Sequence, residues 1–242
     1  FLGNKRTPQS CPSQVDIVTL QLQEFSITEM WQEPFKAKFL LQRESFSKGG
    51  LREAFIAKAL SGMATRGKYV LKKCQKDKEE NVLQYSPTLE EHMRKIVQMS
   101  ALARNFAQSL ELQRPKDYGA TFAYEKVYFS SMNGEFITLE KFIEGKFKKL
   151  INNTGEVLGD DILKAEAFVH YTYVYEQLMV TDIQGVGYTL CDPEIASTAE
   201  DEDKSKLFCC GNLSELAIRG FLNGHSCNKF CNLLKLSDDN RN

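Results

Sequence analysis

The chain has 242 residues, 42% hydrophobic and 26% charged, with a formal net charge of -1. That length suits one large domain or two lobes around a sizeable core. The near-neutral balance gives no bulk attraction to nucleic acid or to a membrane surface, and no apolar run approaches the ~20 residues of a membrane-spanning helix.

Residues 1–14 are mostly polar and carry Pro8 and Pro12, which predicts a tail. Lys5 and Arg6 interrupt any leader-like apolar stretch, so the chain reads as a domain of a longer polypeptide. Residues 15–25 and 31–42 alternate apolar and polar side chains and predict two strands. Gly49-Gly50 then opens a hairpin that runs through Ala59. Glycine amides beside a cation such as Arg52 can cradle phosphate, although most Gly-Gly pairs are only turns. Residues 68–73 form a short strand with Lys72 inside it. A lysine flanked by Val70 and Leu71 needs a counter-charge or a phosphate if it points inward. Lys73 is expected to face the other way.

Residues 76–87 are charged and predict a surface connection. Thr88-Leu89-Glu90-Glu91 is a capping box, so a long helix should follow to about Leu110. Met93, Ile96, Val97, Ala101 and Leu102 fall near one face of it, and His92 is expected in solvent. Residues 122–129 and 136–142 predict a hairpin around Asn133-Gly134. Residues 160–174 predict an Asp-capped helix with His170 on its inner side. Residues 213–222 and 227–236 predict two short helices.

Two constellations carry chemistry. The first is the stretch from Leu178 to Pro193. A short apolar run leads to Asp182 and Gln184, whose i, i+2 spacing puts them on one side of an extended chain. Gly185 and Gly187 loosen the backbone, and Asp192 precedes Pro193. An acid and an amide facing a second acid suit a divalent cation and a catalytic base; an Asp that merely caps a turn is the plainer alternative. The second is His225, Cys227 and Cys231, with the cysteines one helical turn apart. Three zinc-type ligands need a fourth, and among the three histidines His170 is the natural choice. Seven cysteines, with Cys209 and Cys210 adjacent, make a poor disulfide framework and point to a reducing, cytoplasmic compartment. Gly62 to Lys68 imitates a Walker loop but lacks the terminal Ser/Thr and leads into a strand, so it is rejected.

Val-Thr-Asp-Ile-Gln-Gly-Val-Gly, Cys-Asp-Pro-Glu-Ile, Gly-Asn-Leu and His-Ser-Cys-Asn-Lys-Phe-Cys, taken in that order, closely resemble the atypical alpha-kinase family. Phe46-Ser-Lys-Gly-Gly-Leu-Arg52, Tyr69-Val-Leu-Lys72 and Leu139-Glu-Lys-Phe-Ile-Glu-Gly-Lys146 resemble its phosphate loop, lysine strand and inter-lobe linker. The resemblance implies an α+β, two-lobed, protein-kinase-like fold: a strand-rich N-lobe over 1–139, a linker over 140–146, and a mixed C-lobe with a structural zinc over 147–242. It implies an ATP-dependent Ser/Thr protein kinase that uses Mg2+ and acts on a protein substrate. Lys72 and Arg52 would contact the phosphates, and the backbone around Glu140 and Phe142 would hold adenine. Asp182 would be the catalytic aspartate, Gln184 and Asp192 would hold magnesium, and His170, His225, Cys227 and Cys231 would hold zinc. The chain departs from the family pattern at Glu194 and Ala196, where Gln and His are usual, and at Cys209-Cys210. Those departures frame an alternative, a zinc-stabilised pseudokinase that only binds partners.

Overall fold

Strands β1 (Val15–Leu22), β4 (Phe35–Gln42), β6 (Arg52–Ser61), β7 (Lys68–Cys74), β10 (Glu135–Lys141) and β9 (Val127–Met132) pair in that order. They form one antiparallel sheet, with β5 (Ser47–Lys48) added to β6. A bridge between Gln23 and Phe129 brings the two ends of the sheet together, and Ser130 Oγ donates to Gln21 O at 2.8 Å. The sheet therefore curls into a small barrel. Period-2 alternation fills it: Leu20, Leu22, Phe39, Leu71, Ile137 and Leu139 are buried in one cluster. The small pair β2 (Phe25–Ser26) and β3 (Met30–Trp31) splits the two strands predicted over 15–25 and 31–42. The computed structural model describes residues 14–28, 30–160, 162–197 and 214–236. The predicted tail, the departures at Cys209-Cys210 and the Gly-Asn-Leu motif lie outside the described residues.

Helix α2 (Leu89–Gln113) starts where the capping box places it, with Thr88 Oγ1 accepting from Glu91 N at 3.1 Å. Ahead of it, the connection over 76–87 contains a short helix α1 (Glu79–Leu83) whose Val82 is fully buried. Helix α2 buries Met93, Ile96, Val97, Phe106 and Leu110, whereas Ala101 and Leu102 are only half-buried. These side chains do not join the barrel cluster. They pack into a second, larger core with Phe168 and Tyr171 of α3 (Leu163–Glu176) and with Val180, Ile183 and Phe221. Two cores thus form, one inside the barrel and one that joins α2 and α3 with Cys74 and Phe129 of the barrel. Helix α3 has Ile162 at its N-cap and no side-chain cap bond, so the Asp cap expected from Asp160 is not formed.

The second lobe is built from short pieces. Strands β11 (Lys148–Lys149), β13 (Gln184–Val186), β14 (Thr189–Leu190) and β8 (Ala123–Tyr124) form one sheet, and β12 (Met179–Thr181) pairs with β15 (Glu194–Ala196). Helices α4 (Ser214–Gly224) and α5 (Lys229–Leu233) close the lobe. Among the described residues no helix is long and apolar enough to cross a membrane.

Candidate active site

The cleft between the lobes holds a cavity of about 480 Å³ that the barrel, α2 and β12–β15 line together. Register explains the barrel's contribution. Lys72 lies opposite Ala54 on β6 and opposite Thr138 on β10, on the face away from Leu71, so it leaves the barrel interior and enters the cleft. Arg52 and Glu140 share that face. Lys73 points the other way, to Glu135 at 2.9 Å and Glu53 at 3.8 Å.

Asp192 is the centre of an ionic knot. Its Oδ2 lies 2.6 Å from Lys72 Nζ and its Oδ1 2.9 Å from Arg52 Nη2, and Lys72 also pairs with the Glu140 carboxylate. Burial opposes the charge on Lys72, but Glu140 and Asp192 outweigh it and hold its pKa above the ordinary lysine value. Burial likewise works against the Asp192 carboxylate; Lys72 and Arg52 overcome it and keep that carboxyl well below its usual range. Glu140 is pushed up, chiefly by burial, against the pull of Lys72. The side chain of Glu140 is thus Lys72's counter-charge, a role the sequence reading did not assign. Its signal was an acid next to Leu139 near the end of a strand.

Asp182 and Gln184 meet, although not by the expected route. Asp182 sits between β12 and β13 in the left-handed region, with φ 54°, so no continuous strand carries the pair. Their contact is a hydrogen bond, Gln184 Nε2 to Asp182 Oδ2 at 2.8 Å, and the same nitrogen lies 3.3 Å from Asp192 O. Lys149 Nζ pairs with Asp182 Oδ1 at 2.6 Å. Burial raises the Asp182 pKa, and the Lys149 hydrogen bond opposes it. The hairpin from Gln184 to Leu190 needs glycine at 185, where a Cβ would come 2.1 Å from Thr189 O.

His92 corrects another expectation. It is 2% exposed and lines the cleft. Burial, then the charges of Arg52 and Lys95, lower its pKa to about 4. An unfolded His titrates near 6.5, so between about pH 4 and 6.5 the unfolded chain binds the extra proton and stability rises with pH. The contribution is complete above pH 6.5 and is lost as pH falls toward 4, a span worth about 3 kcal/mol. Urea unfolding across that window should show a shallower slope in His92→Gln than in wild type; equal slopes would refute the assignment.

A second cluster joins α3 to the segment around α5. Ligand atoms of His170, His225, Cys227 and Cys231 all lie within 4.8 Å of one another. Cys227 Sγ is 3.7 Å from His170 Nδ1, and Cys231 Sγ is 3.5 Å from His225 Nε2. Those are the ligand–ligand separations of a tetrahedral zinc site, roughly 3.5–3.8 Å for bonds of about 2.0–2.3 Å. Glu166 Oε1 stands 3.9 Å from His225 Nδ1, on the side of the ring away from Cys231. Phe142, named for adenine, lies at the linker; its amide donates to Lys68 O at 3.0 Å and its ring meets Phe46 edge-on.

The model of the alpha-kinase family matches residues 47–231. Alpha-protein kinase 1 of Dictyostelium discoideum is 32% identical over 200 residues, covering 81% of this chain and 14% of that protein. Transient receptor potential cation channel subfamily M member 6 of Mus musculus is 39% identical over 121 residues, 48% of this chain and 6% of that protein. The chain therefore spans a small part of the curated relatives it matches. Among solved structures, the alpha-kinase domain of myosin-II heavy chain kinase A in complex with AMP-PNP superposes with a TM-score of 0.75 at 25% identity, covering 94% of this chain and 97% of that one. The matched span opens on the hairpin beside Arg52 and closes on Cys231, and the same fold recurs in three dimensions: the chain belongs to the alpha-kinase family of atypical protein kinases.

Proposed function

We propose that this domain transfers the γ-phosphoryl group of ATP to Ser or Thr side chains of proteins. The observation that carries the reading is the convergence of Lys72, Arg52, Asp182, Gln184 and Asp192 on one cleft. Phosphoryl transfer asks mainly for positioning and charge neutralisation, and this set supplies both.

Lys72 and Arg52 would move from Asp192 to the phosphate oxygens, with Glu140 keeping the Lys72 ammonium in place. Asp192, released from both cations, and the Gln184 amide oxygen would hold magnesium. Magnesium, when bound, supplies positive charge to the phosphates during transfer. Asp182, kept in place by Lys149 and Gln184, would accept the hydrogen bond of the incoming hydroxyl and take its proton. Adenine is assigned to the backbone around Glu140 and Phe142. In sequence the lobes are proposed as 1–139 and 147–242 joined by the linker 140–146, with α2 and β8 of the first span packing against the second lobe.

His170, His225, Cys227 and Cys231 are proposed to hold zinc. Two imidazoles and two thiolates fit that ion and leave no open position, so its role is structural. Their free thiols and the identified family support a reducing, cytosolic setting for this domain.

Asp182→Ala is the direct test. Purified domain with Mg-ATP should phosphorylate itself or a protein substrate, and the variant should lose about 10²–10⁴-fold in rate with its fold intact. Wild-type labelling no greater than that of the variant would favour the pseudokinase reading.

A further inference from the structure

The cleft's carboxylates are not equally engaged. Asp192 gives one oxygen to Arg52 and the other to Lys72. Asp182 gives one to Lys149 and the other to Gln184. Glu194 Oε2 is shielded from solvent and has no hydrogen bond; Asp182 Oδ1 shares that lack and is held by its ion pair with Lys149 instead. The register fixes where it sits. On β15 it pairs with Thr181, the residue before Asp182, and it lines the same cavity as Gln184 and Asp192. Arg52, Lys149 and Asp182 line that cavity with it. A carboxylate oxygen buried without a donor is costly unless a ligand completes it. Oxygen donors of this kind suit hard divalent cations.

We propose that Glu194 is a further ligand of the divalent cation that accompanies the nucleotide, adding a carboxylate oxygen to those of Gln184 and Asp192. The inference rests on the kinase reading above, which brings cation and nucleotide to the cleft. Glu194 departs from the pattern the rest of the motif follows, so its effect is a property of this chain: tighter cation binding in a more negative site.

The test measures cation binding directly, in the whole domain, with Mn2+ as the probe. Mn2+ affinity is read by electron paramagnetic resonance in the presence of AMP-PNP, for wild type, E194Q and E194L. E194Q keeps an amide oxygen and should weaken Mn2+ about tenfold, an effect of 1.4 kcal/mol. E194L removes both oxygens while tolerating burial, and should weaken Mn2+ further. AMP-PNP affinity measured in EDTA should be the same in all three. Undiminished Mn2+ affinity in either folded variant overturns the proposal, as does a selective loss of binding to a basic peptide, which would make Glu194 a substrate contact. If wild type binds no AMP-PNP, it is the kinase reading that fails. Binding of AMP-PNP with Mn2+ affinity independent of Glu194 removes this inference alone.

Discussion

Lys72→Ala should abolish labelling and destabilise the domain at once. The kinetic loss follows from removing a preorganised cation at the phosphates, an effect of at least about 10²–10³-fold. The stability loss follows from the knot. Glu140 is 8% exposed and Asp192 30%, and both lean on one ammonium. Breaking a buried pair costs about 3–5 kcal/mol, and the exposure of Asp192 places this case at the lower end. Arg52 stays bonded to Asp192, so Glu140 is the group stranded. Lys72→Ala with Glu140→Gln should therefore recover much of the stability and none of the activity. Chemical unfolding of the two variants beside a phosphorylation assay reads both halves. A single variant as stable as wild type would show that Glu140 does not depend on Lys72.

Removing zinc should have the larger structural effect. Binding to a four-ligand site of this kind contributes apparent free energies on the order of 10 kcal/mol to folding. The ligands come from α3, from the segment before α5 and from α5 itself. Losing the ion separates those elements. His225→Ala, or prolonged treatment of wild type with a strong chelator, should unfold the C-terminal region. Intact protein should contain stoichiometric zinc by elemental analysis. Folded protein free of zinc would end the assignment.

What could be read in the sequence was local. The Thr88–Glu91 box sets the start of α2 because both partners lie within one turn. Asn133-Gly134 sets a hairpin because both residues accept positive φ, here 53° and 81°. Lys72 and Lys73 separate because a strand alternates. The zinc ligands were legible because three of them share one short segment. What could not be read depended on distant partners. His92 sits among charged neighbours in the chain, yet the barrel and the second lobe bury it. Glu140 is far in sequence from Asp192, and only the closed cleft makes them neighbours of one lysine. The meeting of Asp182 and Gln184 was foreseen for the wrong reason: a left-handed residue and a side-chain hydrogen bond bring them together, not strand periodicity. The bridge from Gln23 to Phe129 left no local mark at all.

The two hydrophobic cores have a consequence for how the molecule opens. The barrel interior and the α2–α3 body bury two cores, joined where Cys74 and Phe129 of the barrel pack into the second, so each should still show its own protection in amide hydrogen exchange. Lys72 and Arg52 belong to the first unit and Asp192 to the second. Their ion pairs are then a strut across a hinge, and a ligand that replaces them sets the angle at which the hinge rests. Nucleotide should raise protection on both sides of that hinge together, including at amides far from the phosphates.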